Sequence, residues 1–96
     1  MREMEGPWVR PLGGEVRRLR HERGWSPRAL LSAIEGASRV ATGVGTTLTP
    51  DELAGIEERD EALPYEALCL VASGLDCDPV DLLREELGAE PPRRRA

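Results

Sequence analysis

Three times in this chain a short polar residue stands directly before a proline and just ahead of an apolar run: Ser26-Pro27, Thr49-Pro50 and Asp78-Pro79. The first N–H groups of a helix have no partner within it. A Ser, Thr or Asp oxygen takes one of them, and a proline next in line has no N–H to leave unpaired. Behind each pair the apolar residues recur at helical spacing: Leu30, Leu31 and Ile34; Leu53 and Ile56; Leu82, Leu83 and Leu87. Thr49 is the strongest start, because Glu52 stands where it can complete a capping box. Start signals and apolar period agree, and together they specify an all-α fold.

The other elements follow the same logic. A first helix runs from Leu12–Glu15 to about Arg23 with Leu12, Val16 and Leu19 on one stripe, and Gly24 ends it. The second helix is expected to stop near Gly36. Residues Ala37 to Leu48, rich in Gly, Ser, Thr and Ala, then read as an extended loop, with a frayed helical turn around Ser38 to Thr42 as the alternative. The third helix ends between Arg59 and Ala62. A fourth opens at Leu63-Pro64 with Leu68, Val71, Ala72 and Leu75 inside, and a fifth runs from Asp78 to Gly88. The expected organisation is one five-helix domain over 12–88, preceded by an irregular arm over 1–11 that Trp8 anchors. An Arg-rich flexible tail over 89–96 carries Arg93, Arg94 and Arg95. With Trp8, Trp25 and Tyr65 as the sole aromatics and no Phe, the core must be aliphatic, which suits helices.

Charge is distributed unevenly. Residues 1–48 hold eight arginines against five acids, a formal +3, whereas 49–96 hold five against thirteen, a formal −8. One surface should therefore attract anions and another repel them. Nothing approaches the ~18 apolar residues of a membrane span. The first residues lack the apolar stretch of a secretory signal, so a cytoplasmic location without membrane association is expected. Cys69 and Cys77 form neither a C-x-x-C nor a zinc pattern and read as small core residues.

Enzyme chemistry finds no support. His21 has no Ser or Cys at a catalytic spacing and reads as an exposed helix residue. Asp76, Asp78 and Asp81 lack the turn glycine and distal glutamate of a calcium loop and read as caps. Gly13-Gly14 lacks the further glycines of a phosphate loop, and Glu57-Glu58 identifies no acid–base pair. No cofactor or metal is implied.

The order of the pieces resembles the helix-turn-helix domain of Cro-like and Xre-type repressors, over Leu12 to Leu83. Leu19-Arg20 and Gly24-Trp25-Ser26 resemble that family's first helix and the turn into its second, and Leu30-Leu31 the apolar pair of the second helix. Ile56-Glu57 resembles the end of its recognition helix; Leu68–Leu75 and Asp78–Leu83 resemble its fourth and fifth helices. The resemblance implies a DNA-binding regulator, with Glu57 bonded internally. It also implies that the start of the third helix, here Pro50, Asp51 and Glu52 with Gly55 a turn later, enters the major groove. The family joins its second and third helices by a turn of about four residues. The Ala37–Leu48 segment adds roughly ten.

Residue chemistry pulls the other way. The third helix offers no Arg, Lys, Asn or Gln to a base at its start, and Asp51 alone could accept from a cytosine amine. Six carboxylates lie between Asp51 and Glu61, and Arg59 offsets one at most. Positive charge gathers instead at Arg17, Arg18, Arg20, Arg23 and Arg28. A charge run on a helix is commonly a solvated face, and phosphate contact is the competing reading. Two functions of different class remain. One is a DNA-binding regulator contacting double-stranded DNA through Arg28, Arg39, Thr46, Thr47, Thr49, Pro50, Asp51, Gly55 and Arg59. The other is an interaction module that turns Asp51, Glu52, Glu58, Asp60 and Glu61 toward a basic protein partner. A homodimer is compatible with either.

Overall fold

Leu30, Ile34, Leu53, Leu68, Val71, Leu75 and Leu82 are sealed from solvent together with Val16, and this aliphatic cluster is what the helices wrap. The computed structural model describes residues 7–84. Four helices account for most of them: α1 (Gly13–Glu22), α2 (Pro27–Thr42), α3 (Pro50–Arg59) and α4 (Tyr65–Leu75). A two-stranded antiparallel ribbon joins β1 (Trp8–Val9) to β2 (Leu63–Pro64), with Trp8 opposite Pro64. The chain is thus mainly helical, as the apolar period requires, and α2 packs chiefly on α4 while α1 packs on α3.

Both strong caps form as the sequence specifies. Ser26 Oγ accepts from the Ala29 amide at 3.1 Å, and Thr49 and Glu52 close a reciprocal capping box. Asp78 caps too, accepting from the Val80 amide at 3.0 Å.

Three boundaries differ from expectation. First, the turn after Asp78 is not a fifth α-helix but a single 3₁₀ turn, Pro79–Leu82. Pairing with the N-terminal segment takes the backbone instead. The Leu12 amide donates to the Leu82 carbonyl at 2.8 Å, the Arg84 amide to the Arg10 carbonyl at 3.0 Å, and Leu83 bridges Pro11. Leu87, the Gly88 stop and the 89–96 tail lie outside the described residues, as do residues 1–6. Second, Leu63-Pro64 does not open α4. It is drawn into the ribbon, and the Tyr65 amide donates to the Pro7 carbonyl at 2.8 Å.

Third, α2 does not stop at Gly36 but runs to Thr42. One interior glycine costs about 1 kcal/mol, which a helix anchored by buried Leu30, Ile34 and Ser38 absorbs. The Ser and Thr that read as loop formers are its fastening. Thr42 Oγ1 donates to the Ser38 carbonyl at 2.9 Å, Val44 N donates to Thr42 Oγ1 at 3.2 Å, and Gly43 ends the helix in the left-handed region.

Close backbone approach joins α1 to α3 at Gly13. A β-carbon there would fall on the Ile56 carbonyl, whereas one at Gly14 would meet open space. Gly13→Ala should therefore destabilise the fold by about 1–3 kcal/mol through overpacking. Gly14→Ala should leave it unchanged or raise it by up to about 1 kcal/mol. Urea unfolding of the two variants checks this; equal midpoints would contradict the packing.

Candidate nucleic-acid interface

The placement of α3 begins at Arg20. Its Nε donates to Glu57 Oε2 at 2.8 Å and its Nη2 to Oε1 at 2.9 Å, a two-pronged pair whose side chains are 8% and 7% exposed. Nη1 donates to the Trp25 carbonyl at 2.9 Å, so one guanidinium holds α1, the turn into α2, and α3. Glu57 is bonded internally, as the resemblance implies. Arg20 thus does not belong to the solvated basic cluster expected of Arg17, Arg18, Arg20, Arg23 and Arg28, because an acid on another helix, which a helical wheel does not contain, draws it inward.

The start of α3 is set by how the chain comes back from α2. Thr47 Oγ1 donates to the Leu31 carbonyl at 2.8 Å, returning the backbone beside a point passed sixteen residues earlier. Ser38, buried at 2% exposure, donates to the Val44 carbonyl at 2.7 Å and accepts from the Thr46 amide at 3.2 Å. The added residues therefore form an outward excursion that closes on itself, and α2 and α3 still pack against one another. Thr47, Thr49, Pro50, Asp51 and Glu52 are all exposed at this end, while Thr46 is half-buried.

Most of the carboxylates on and after α3 are already engaged. Glu52 Oε1 accepts from the Thr49 amide at 2.8 Å. Asp60, in the left-handed conformation, accepts from the Gly13 amide at 2.8 Å and from Arg84 Nη2 at 3.0 Å, and Arg10 Nη1 donates to its carbonyl at 3.1 Å. Glu61 faces Arg59 at 3.3 Å, and the two side chains cover the buried Gly55. Asp51 and Glu58 alone among the six are exposed and without an ion pair or side-chain hydrogen bond among the described residues.

The basic cluster shrinks in the same way. Arg18 pairs with Glu15 and Glu22, and its pull holds the Glu15 carboxyl below its ordinary range. Arg23 donates to the Leu19 and Leu75 carbonyls and lies 5.7 Å from the Trp25 ring centre. Arg39 pairs loosely with Glu35 at 3.3 Å. Arg17 and Arg28 are exposed and take part in no ion pair among the described residues. Of the DNA candidates, Thr49, Pro50 and Asp51 share the open end of α3 and Arg28 opens α2. Gly55 is covered, Arg59 is held by Glu61, and Arg39 sits on the excursion. Sequence reasoning passed over Asp60 as a structural hub and over Val40 and Val44, whose exposure depends on how far α2 projects.

Among the described residues no group of three or more His, Cys, Asp or Glu side chains is placed to hold a metal ion. His21 is exposed, and Cys69 and Cys77 are half-buried free thiols. Burial, with Asp81 nearby, pushes the Cys77 thiol up and away from the reactive thiolate. No helix of the described residues is long and apolar enough to cross a membrane. Compared with known protein families, characterised proteins and solved structures, the chain shows no significant match.

Removing one partner of the buried pair leaves an uncompensated charge. Glu57→Ala should cost about 3–5 kcal/mol of stability, while Arg20→Met with Glu57→Leu should recover most of it. Urea midpoints of single and double variants test this. Independent, additive losses would show the pair is not coupled.

Proposed function

We propose that the chain is a DNA-binding regulator of the repressor helix-turn-helix type, with α2 and α3 as the helix-turn-helix pair. The observation that carries this reading is the Thr47–Leu31 bond at 2.8 Å. It brings the chain back to α2 after the excursion and leaves the N-terminal end of α3 open to solvent. Arg28 at the start of α2 would contact phosphate, with Thr49 and Pro50 against the groove edge and Asp51 accepting from a cytosine amine. Because most arginines among the described residues are already paired or hydrogen-bonded, phosphate contacts from them would be few and affinity modest.

A second reading is favoured by Asp51 and Glu58. They are exposed carboxylates without partners among the described residues, in a half of the chain with formal charge −8. On this reading the same face of α3 meets a basic protein surface, and the fold serves a regulator without reading DNA.

Binding to mixed genomic DNA fragments across a salt series separates the two. DNA binding predicts that affinity falls steeply with salt, that some fragment is preferred, and that Arg28→Ala flattens the log–log slope by about 1. Asp51→Arg should tighten binding to all fragments and blunt the preference. If the natural chain binds no fragment at about 50 mM salt, the DNA reading fails and the basic partner takes its place.

A further inference from the structure

Helical spacing sets Asp51, Gly55 and Arg59 in one row along α3, four residues apart, on the side turned away from the inward Leu53 and Glu57. Gly55 is nevertheless buried, and its cover on that side comes from two surface side chains. A β-carbon on it would run into the Glu61 carboxylate and lie 3.2 Å from Arg59 Nη2. Glycine is unfavourable inside a helix, and here its missing side chain is the seat in which that pair lies. The backbone brings Glu61 there. Asp60 turns the chain back in the left-handed region, and the Glu61 amide donates to the Gly55 carbonyl at 3.2 Å.

The pair itself is loose. Arg59 Nε meets Glu61 Oε2 at 3.3 Å, with the side chains 58% and 45% exposed. A guanidinium has five N–H donors. Arg59 directs no other of them to a hydrogen-bond or ion-pair partner among the described residues, whereas Arg20 donates through all three of its nitrogens. Arg59 is also the only cation on α3.

We propose that Arg59 is a phosphate contact of the DNA-binding face, and that Glu61 holds it as an internal stand-in for phosphate, displaced when DNA arrives. This rests on the DNA-binding reading of α3 given above. Eight residues at about 1.5 Å each place Arg59 about 12 Å behind Asp51, and the major groove is about 12 Å wide. With Asp51 at a cytosine edge, Arg59 falls at the sugar–phosphate wall. One long contact to a carboxylate is then exchanged for a charge-assisted, two-pronged contact to phosphate, and Glu61 returns to water. An exposed pair of this kind is weak, so the exchange is easy. Phosphate carries no sequence, so Glu61 restrains affinity for every duplex alike and leaves preference untouched. It acts only through Arg59, as a positioning residue.

The test is binding of the full chain to a genomic fragment and to a duplex of shuffled sequence across a salt series. The natural chain is compared with Glu61→Gln, Arg59→Ala and the double variant. Arg59→Ala should weaken both duplexes equally and lower the log–log salt slope by about 1. Glu61→Gln should tighten both by about two- to fivefold, and that gain should vanish when Arg59 is also removed. Circular dichroism and the urea midpoint should stay unchanged throughout, both side chains being exposed. Absence of any gain from Glu61→Gln, a gain that persists without Arg59, or an unchanged slope in Arg59→Ala overturns the proposal while DNA binding stands. If neither the natural chain nor Glu61→Gln binds either duplex at about 50 mM salt, the DNA-binding reading itself fails and takes the proposal with it.

Discussion

A guanidinium and a carboxylate locked together with almost no access to water hold this molecule in register. Taking Arg20 and Glu57 out of solvent is costly, and the cost is offset only when both are present, bidentate, with the remaining donor satisfied by the Trp25 carbonyl. The pair does more than join α1 to α3. It fixes which face of α3 turns inward, and hence which side chains remain at its open end. A hydrophobic contact of the same area would be indifferent to small rotations of α3; two parallel hydrogen bonds at 2.8 and 2.9 Å are not.

A second polar knot follows within one turn, at the C-cap of α3. Asp60 gathers the Gly13 amide, Arg84 and Arg10 around one left-handed residue. The start of α1, the end of α3 and both flanking segments thus meet at one point. The two knots consume acids that would otherwise repel an anionic ligand. Among the described residues, Asp51 and Glu58 alone of the six carboxylates are left without an ion pair or side-chain hydrogen bond, and that keeps phosphate contact within reach of the proposed regulator.

Much of the architecture could be read from the residues, and the parts that could not share a cause. Ser26, Thr49 and Asp78 cap as their local chemistry requires, and Leu30, Ile34, Leu53, Ile56, Leu68, Val71 and Leu75 are buried where helical spacing puts them. Capping and apolar period act over three or four residues, so a single stretch contains the whole argument. The end of α2 falls beyond Gly36 because the helical turn at Ser38 to Thr42, one of two local readings, is continuous with the helix before it. In the fold Ser38 and Thr42 bond the returning loop and extend the helix. The turn after Asp78 was overestimated because its competitor, the Arg10–Leu12 backbone, lies about seventy residues away. For the site, Thr49, Pro50 and Asp51 were legible as an exposed helix start, whereas the engagement of Arg20, Asp60 and Glu61 was not.

By itself, then, the sequence determined where α2 and α3 begin, most of the aliphatic core, and that the chain divides into a basic and an acidic half. These follow from local hydrogen-bonding needs and from side-chain period, both complete within a few neighbours. Only the tertiary structure decided which charges stay free, since Arg20 meets Glu57 across 37 residues and Gly13 meets Asp60 across 47. It alone decided, too, that the residues added between α2 and α3 leave and return as a hydrogen-bonded projection. Pairing of buried charges and closure of a loop depend on what folding brings alongside, and no local pattern of residues carries that information.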